Sequence, residues 1–199
     1  DLLVCKNLEN NFLLSFDDGL EEIYSVVYPI LKEKSLSAIF FVNPNFIDNK
    51  TALYKHNISV IISHLKNNID DDIFQEISKI LSINFATKSD LFIKLKETKY
   101  ADRSKIDEIL NLLNINIKEY LKNEKPYLSK SQIQEMINDG FYFGGHTMSH
   151  PPLQQISHEE QKAEIINSIN WLKMNFNISY SLFAFPYSDK SISKKLISE

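Results

Sequence analysis

Phe12-Leu13-Leu14-Ser15-Phe16-Asp17-Asp18-Gly19 and, one helix length later, Ser37-Ala38-Ile39-Phe40-Phe41-Val42 decide the fold class. Each is a short apolar run of the kind that forms a strand buried on both faces. Between them, Leu20 to Lys34 carries Ile23, Val26, Val27, Ile30 and Leu31 on one expected helical face. Pro29 should bend or split that helix, because its ring crowds the preceding turn and it has no amide hydrogen to donate. Strand, helix, strand is the unit that builds parallel sheets, and its crossover is expected to be right-handed. The first strand runs straight into Asp17-Asp18, which delivers two carboxylates to the rim of the sheet. Adjacent carboxylates repel, so one of them calls for a cation.

The alternation resumes near residue 128. Ser129 and Gln132 have capping-box spacing for a helix to Asn138, Asp139-Gly140 ends it, and Phe141-Tyr142-Phe143 reads as the next strand. That strand feeds Gly144-Gly145-His146-Thr147-Met148-Ser149-His150. A second capping box, Ser157 with Glu160, opens a helix with Ile165, Ile166, Ile169, Leu172 and Phe176 as its apolar face. Ser181 to Phe185 reads as a strand ending at Pro186-Tyr187, and a short polar helix closes the chain. With the strands parallel, Asp17-Asp18, the histidine loop and Pro186-Tyr187 all lie past strand C-terminal ends, where sites assemble in α/β folds. One helical turn between His146 and His150 would put both rings on one side, and Pro151-Pro152 would stop it. Two neutral imidazoles and a carboxylate suit zinc or a similar divalent ion and leave positions open for water and substrate. The same donors also describe a mononuclear iron oxygenase, whose antiparallel barrel does not fit this alternation.

The zone from about Asn45 to Lys125 has a different texture. It contains no glycine and carries amphipathic stripes: Ile73, Phe74, Ile77, Ile80 and Leu81, then Ile106, Ile109, Leu110 and Leu113. It reads as a helical insertion whose stripes pack helix on helix, with room for a protein partner on its surface. Asp70-Asp71-Asp72 reads as the acidic first turn of a helix, because the spaced ligands and glycine of a calcium loop are missing. The histidines His56, His64 and His158 carry no motif and read as ordinary solvated residues.

Composition bounds the rest. The 199 residues suit one domain, and 22 Lys+Arg against 26 Asp+Glu give a net charge of -4, so no nucleic-acid or polybasic membrane surface is indicated. Cys5 is the single cysteine, which excludes an internal disulfide. No apolar stretch reaches the roughly 20 residues of a membrane span, and no signal-peptide pattern opens the chain. The first residue is Asp1 rather than Met, as expected of a processed or trimmed terminus.

Taken together, Ser15-Phe16-Asp17-Asp18-Gly19, His146-Thr147-Met148-Ser149-His150 and Phe183-Ala184-Phe185-Pro186-Tyr187 resemble, in order, three motifs of the polysaccharide deacetylases with the NodB homology domain. The resemblance covers about residues 11–44 and 128–190. It implies an α/β fold, an incomplete or truncated (β/α) barrel of the NodB type, with residues 1–199 as one domain, a helical insertion over about 45–125 and the C-terminal part of the barrel missing. It implies a metal-dependent carbohydrate N-deacetylase acting on an N-acetylated oligo- or polysaccharide. Asp18, His146 and His150 would hold the ion, most naturally Zn2+, Asp17 would be the general base, and Pro186 and Tyr187 would contact the sugar. Two features depart from the pattern. Ala184 and Ser188 stand where many members have arginine and glycine, and the Leu-x-His motif that supplies the family's general acid has no counterpart. A deacetylase-fold relative that binds glycan or regulates without turnover is therefore an open alternative.

Overall fold

Three short strands, Leu14–Phe16 (β1), Ala38–Val42 (β2) and Tyr142–Gly145 (β3), pair in parallel in the order β1-β2-β3. The structure, a computed structural model, describes residues 12–190, 192–193 and 196. Cys5 and most of the polar helix expected at the C-terminal end lie outside the described residues. Phe16 registers with Phe40 and Phe40 with Phe143. Their rings follow at 5.4 Å and 5.4 Å, an aromatic row across the sheet that fixes register through side-chain contact. β2 is the central strand and is almost wholly buried, as its unbroken apolar run requires.

The connection from β1 to β2 is split, as Pro29 demands, but the split changes which residues face inward. Ile23–Val27 forms a wide π-type turn, and the α-helix proper, α1, is Tyr28–Glu33 with Pro29 in its first turn. The extra residue in the wide turn places Ile23, Tyr28 and Leu31 in the core, whereas Val26 and Ile30 are 53% and 46% exposed, contrary to the single face read from the sequence.

After the intervening helices, α7 (Lys130–Asn138) and α8 (His158–Phe176) start at the two expected capping boxes. α8 buries Ser168, Leu172 and Phe176, and Ile166 points outward, which corrects the expected isoleucine face. The reason is close approach to β3: a Cβ on Gly145 would lie 2.4 Å from Ser168 Oγ and 3.2 Å from the Ile169 backbone nitrogen. Only small residues fit where helix and strand touch. The expected strand over residues 181–185 shrinks to one parallel bridge between Phe183 and Gly145. Gly145 N–H donates to Leu182 O (2.9 Å), Ala184 N–H donates to Gly145 O (3.1 Å), and Pro186 has no amide hydrogen with which to extend the ladder.

These strands, α1, α7 and α8 belong to one compact unit, residues 1–51 with 124–199, and residues 52–123 form another. The second is all helical: α2 (Tyr54–Asn68), α3 (Asp71–Leu81), α4 (Lys88–Glu97), α5 (Arg103–Leu112) and α6 (Ile117–Glu124). Its own core is built on Ile61, Leu65, Ile77, Leu91, Leu95, Ile106 and Ile109. Each of these side chains gains roughly 1.5–3 kcal/mol on leaving water. The acidic triplet is a helix start: Asp70 accepts the Ile73 N–H (2.8 Å), with Asp71 and Asp72 in the first turn. Among the described residues, no helix is long and apolar enough to cross a membrane.

Candidate functional site

β1 ends on two carboxylates that take different paths. Asp17 is exposed. Asp18 turns inward by adopting a left-handed conformation (φ 70°), followed by Gly19 at φ 66°. Leu128 N–H donates to Gly19 O (2.9 Å) and fastens the turn. In that position Asp18 Oδ1 lies 3.1 Å from His150 Nε2 and 3.5 Å from His146 Nε2.

His146 continues β3 by donating its backbone N–H to Val42 O (3.0 Å). Its Nδ1 is 2.9 Å from Ala184 O, so Nδ1 carries the proton and donates it to that carbonyl, leaving the Nε2 lone pair directed at Asp18. His150 does not follow on a helical turn, contrary to the sequence reading. Thr147 (φ 66°) and His150 (φ 58°) are both left-handed, and the His150 N–H donates to Thr147 Oγ1 (3.0 Å). A tight loop with two reversed residues brings the rings within 4.9 Å. His150 Nδ1 is buried without a hydrogen-bond partner, and the Tyr187 ring meets the imidazole edge-on at 4.7 Å.

Two further residues hold the loop and were not singled out in the sequence. Asn43, buried at the end of β2, donates its side-chain amide to His146 O and Thr147 O. Glu164 of α8 accepts the Met148 N–H (2.7 Å), the Ser149 N–H (2.9 Å) and the Ser149 hydroxyl (2.7 Å). Neither lies in a motif that periodicity or spacing marks. Of the residues expected at the site, Asp18, His146 and His150 are brought together, Asp17 borders them, Pro186 is buried, and Tyr187 is 55% exposed with its ring against His150. His56 lies in the helical unit with its Nε2 3.1 Å from Tyr120 Oη.

The electrostatics match the geometry. Burial pushes the Asp18 carboxyl up, but close contact with His150 and the charge each imidazole carries when protonated outweigh it and hold it below the ordinary carboxylate value. Burial, then the His150 charge, push His146 down from the ordinary imidazole value, against the Ala184 carbonyl, Asp17 and Asp18. The favoured state is a carboxylate beside a neutral imidazole, the form in which both are metal ligands. Asp18 Oδ1 is buried without a well-aligned hydrogen bond, although two imidazole nitrogens face it. Ligand atoms about 2.0–2.1 Å from a tetrahedral ion stand about 3.3–3.4 Å apart. The two Asp18–imidazole separations bracket that, and all three ligand atoms lie within 4.8 Å of one another. The residues present therefore fit a divalent ion.

The family model for polysaccharide deacetylase matches residues 6–78 and 96–198. The chain belongs to the polysaccharide deacetylase family. The match runs beyond the motif-bearing stretches into the helical zone, which the motif resemblance had left out, and omits only 79–95 between its two parts. No curated protein matches. Among solved structures, the deacetylase PplD of Streptococcus pyogenes, determined with acetate, is similar at 19% identity and a TM-score of 0.52, covering 96% of this chain and 56% of that one. IcaB from Ammonifex degensii is similar at 14% identity and a TM-score of 0.50, covering 94% and 53%. This chain thus spans little more than half the length of either. At such identities the likeness is one of fold: an α/β deacetylase fold, and not the antiparallel barrel of an iron oxygenase.

Proposed function

We propose that this polysaccharide deacetylase is a metal-dependent carbohydrate N-deacetylase that removes acetyl groups from an N-acetylated oligo- or polysaccharide. The observation that carries the reading is the convergence of Asp18 Oδ1, His146 and His150 within 4.8 Å of one another, with Asp17 beside them. Asp18, His146 and His150 would hold the ion, for which Zn2+ is the best match to one oxygen and two nitrogen donors. When bound, it supplies Lewis acidity to the acetamide carbonyl and lowers the pKa of water. Asp17 takes a proton from the attacking water as its oxygen bonds to the carbonyl carbon. The C–N bond then breaks, acetate departs, and the amine takes up a proton. Tyr187, exposed beside His150, offers an aromatic face to the sugar, and buried Pro186 fixes the turn that presents it.

The three strands are taken as part of a (β/α) barrel of the NodB type, with the helical unit as an insertion. Support for the insertion is that residues 52–123 have their own core and that the unmatched residues 79–95 fall inside it. Replacing 52–123 by a short linker should leave metal binding intact, and loss of metal with loss of folding would reject the insertion. Acetate release from N-acetylated oligosaccharides by metal-stripped protein, before and after Zn2+ is restored, tests the activity. Release that returns with Zn2+ and fails in Asp17→Asn supports it. Metal binding without release favours instead a relative that binds glycan without turnover, the reading that Ala184, standing in the third motif where many family members have arginine, leaves open.

A further inference from the structure

We infer that Glu164 is a positioning residue of the metal site, setting the separation of His146 and His150 from the neighbouring helix. The inference rests on the reading of those histidines as ligands. Only Thr147, Met148 and Ser149 separate them. Thr147 is pinned by Asn43 and by the His150 N–H, while Met148 and Ser149 are pinned by one carboxylate. Glu164 Oε2 accepts both consecutive backbone N–H groups (2.7 and 2.9 Å), and Oε1 accepts the Ser149 hydroxyl (2.7 Å). Two successive amides aimed at one carboxylate oxygen form a backbone concavity in which the direction of both N–H groups is fixed.

The loop needs such a hold. Thr147 and His150 carry side chains at φ 66° and 58°, a conformation that costs roughly 1–2 kcal/mol per residue and persists only where the surroundings enforce it. Glu164 lies on α8 two turns beyond the Ser157 cap, and α8 is itself seated on β3 through Ser168 and Gly145. The strand that carries His146 and the loop that carries His150 are therefore both referenced to one rigid helix.

Reach and charge separate in two substitutions. Glu164→Gln keeps reach and loses charge: its amide oxygen still accepts both N–H groups, and the Ser149 hydroxyl can turn to accept from the amide nitrogen. Glu164→Asp keeps charge and loses one methylene of reach. The test is a Co2+ titration of the metal-stripped full chain, followed by visible absorption. Glu164→Asp is expected to weaken Co2+ binding about 10–100-fold, the usual effect of losing a group that orients a ligand, and to shift the Co2+ bands. Glu164→Gln should stay within about threefold of wild type, because rigid placement is what the group supplies. Wild-type affinity in Glu164→Asp, or a weaker Glu164→Gln than Glu164→Asp, overturns the inference while leaving the metal site standing. Should Glu164→Asp fail to fold, Ser149→Ala removes one of the three contacts and is expected to weaken binding measurably; no change overturns the inference. A wild-type chain that binds no Co2+ overturns the metal reading and this inference with it.

Discussion

At the N-terminal ends of β2 and β3 the polar groups answer one another. Tyr28 Oη and Lys32 Nζ both donate to Asp139, and Tyr24 Oη donates to Glu135 (2.7 Å). The hydrogen bond from Lys32, then that from Tyr28, hold the Asp139 carboxyl below its ordinary value. At the C-terminal ends of the same sheet the donors and acceptors converge without satisfying one another. Asp18 Oδ1 faces two imidazole nitrogens without a well-aligned hydrogen bond, His150 Nδ1 is buried with no hydrogen-bond partner, and Asp18, Thr147, His150 and Tyr187 all hold left-handed backbone. A closed charge cluster stabilises the fold and asks for nothing more. An open one, held in a costly conformation, leaves polar atoms that an ion of the proposed kind would satisfy.

The contrast breaks most visibly at the three proposed ligands. Asp18→Ala, His146→Ala and His150→Ala should each weaken Zn2+ binding by on the order of 10³-fold in competition with a chelator, more than loss of an outer partner costs. Asp17→Asn should keep the metal and lower acetate release by about 10²-fold or more, and an unchanged rate at full occupancy would remove Asp17 from the base role. Gly145→Ala should destabilise the fold by about 1–3 kcal/mol in urea denaturation, because the added methyl meets Ser168. Smallest of all, Asp139→Asn at the other rim should leave metal affinity unchanged and lower Tm by a few degrees at most. Because the folded-state pKa of Asp139 is depressed below 3.8, its contribution is present above that value and disappears as pH falls through the folded pKa. The wild-type and Asp139→Asn Tm values should therefore converge in acid.

The sheet and the cluster of Asp18, His146 and His150 were legible because they rest on short-range signals. Apolar runs marked both β1 and β2, but β1 is shorter and less buried than its run suggested, Leu14–Phe16 with Phe12 and Leu13 exposed, because it is the edge strand of the described sheet. Capping boxes marked the starts of α7 and α8, and Asp18, His146 and His150 stood in motifs. The shape of the histidine loop was not legible. A four-residue spacing suggests one helical turn, whereas the loop with reversed backbone at Thr147 and His150 is held by the local His150 N–H bond to Thr147 Oγ1 together with contacts from distant segments, Asn43 just after β2 and Glu164 on α8. The α8 face was misread for a similar reason. Periodicity favours isoleucine at the core, whereas close approach to Gly145 selects Ser168. The wide turn before Pro29 likewise moved Tyr28 inward, and Val26 and Ile30 outward, by shifting the helical register.

X-ray absorption at the zinc edge of the zinc-loaded full chain reads the proposed ligand set itself. One zinc per chain is expected, with two imidazole nitrogens and a carboxylate oxygen bound at about 2.0–2.2 Å, falling to one imidazole in His150→Ala. Zinc well below one per chain, or a zinc without two imidazoles bound, would contradict that ligand set.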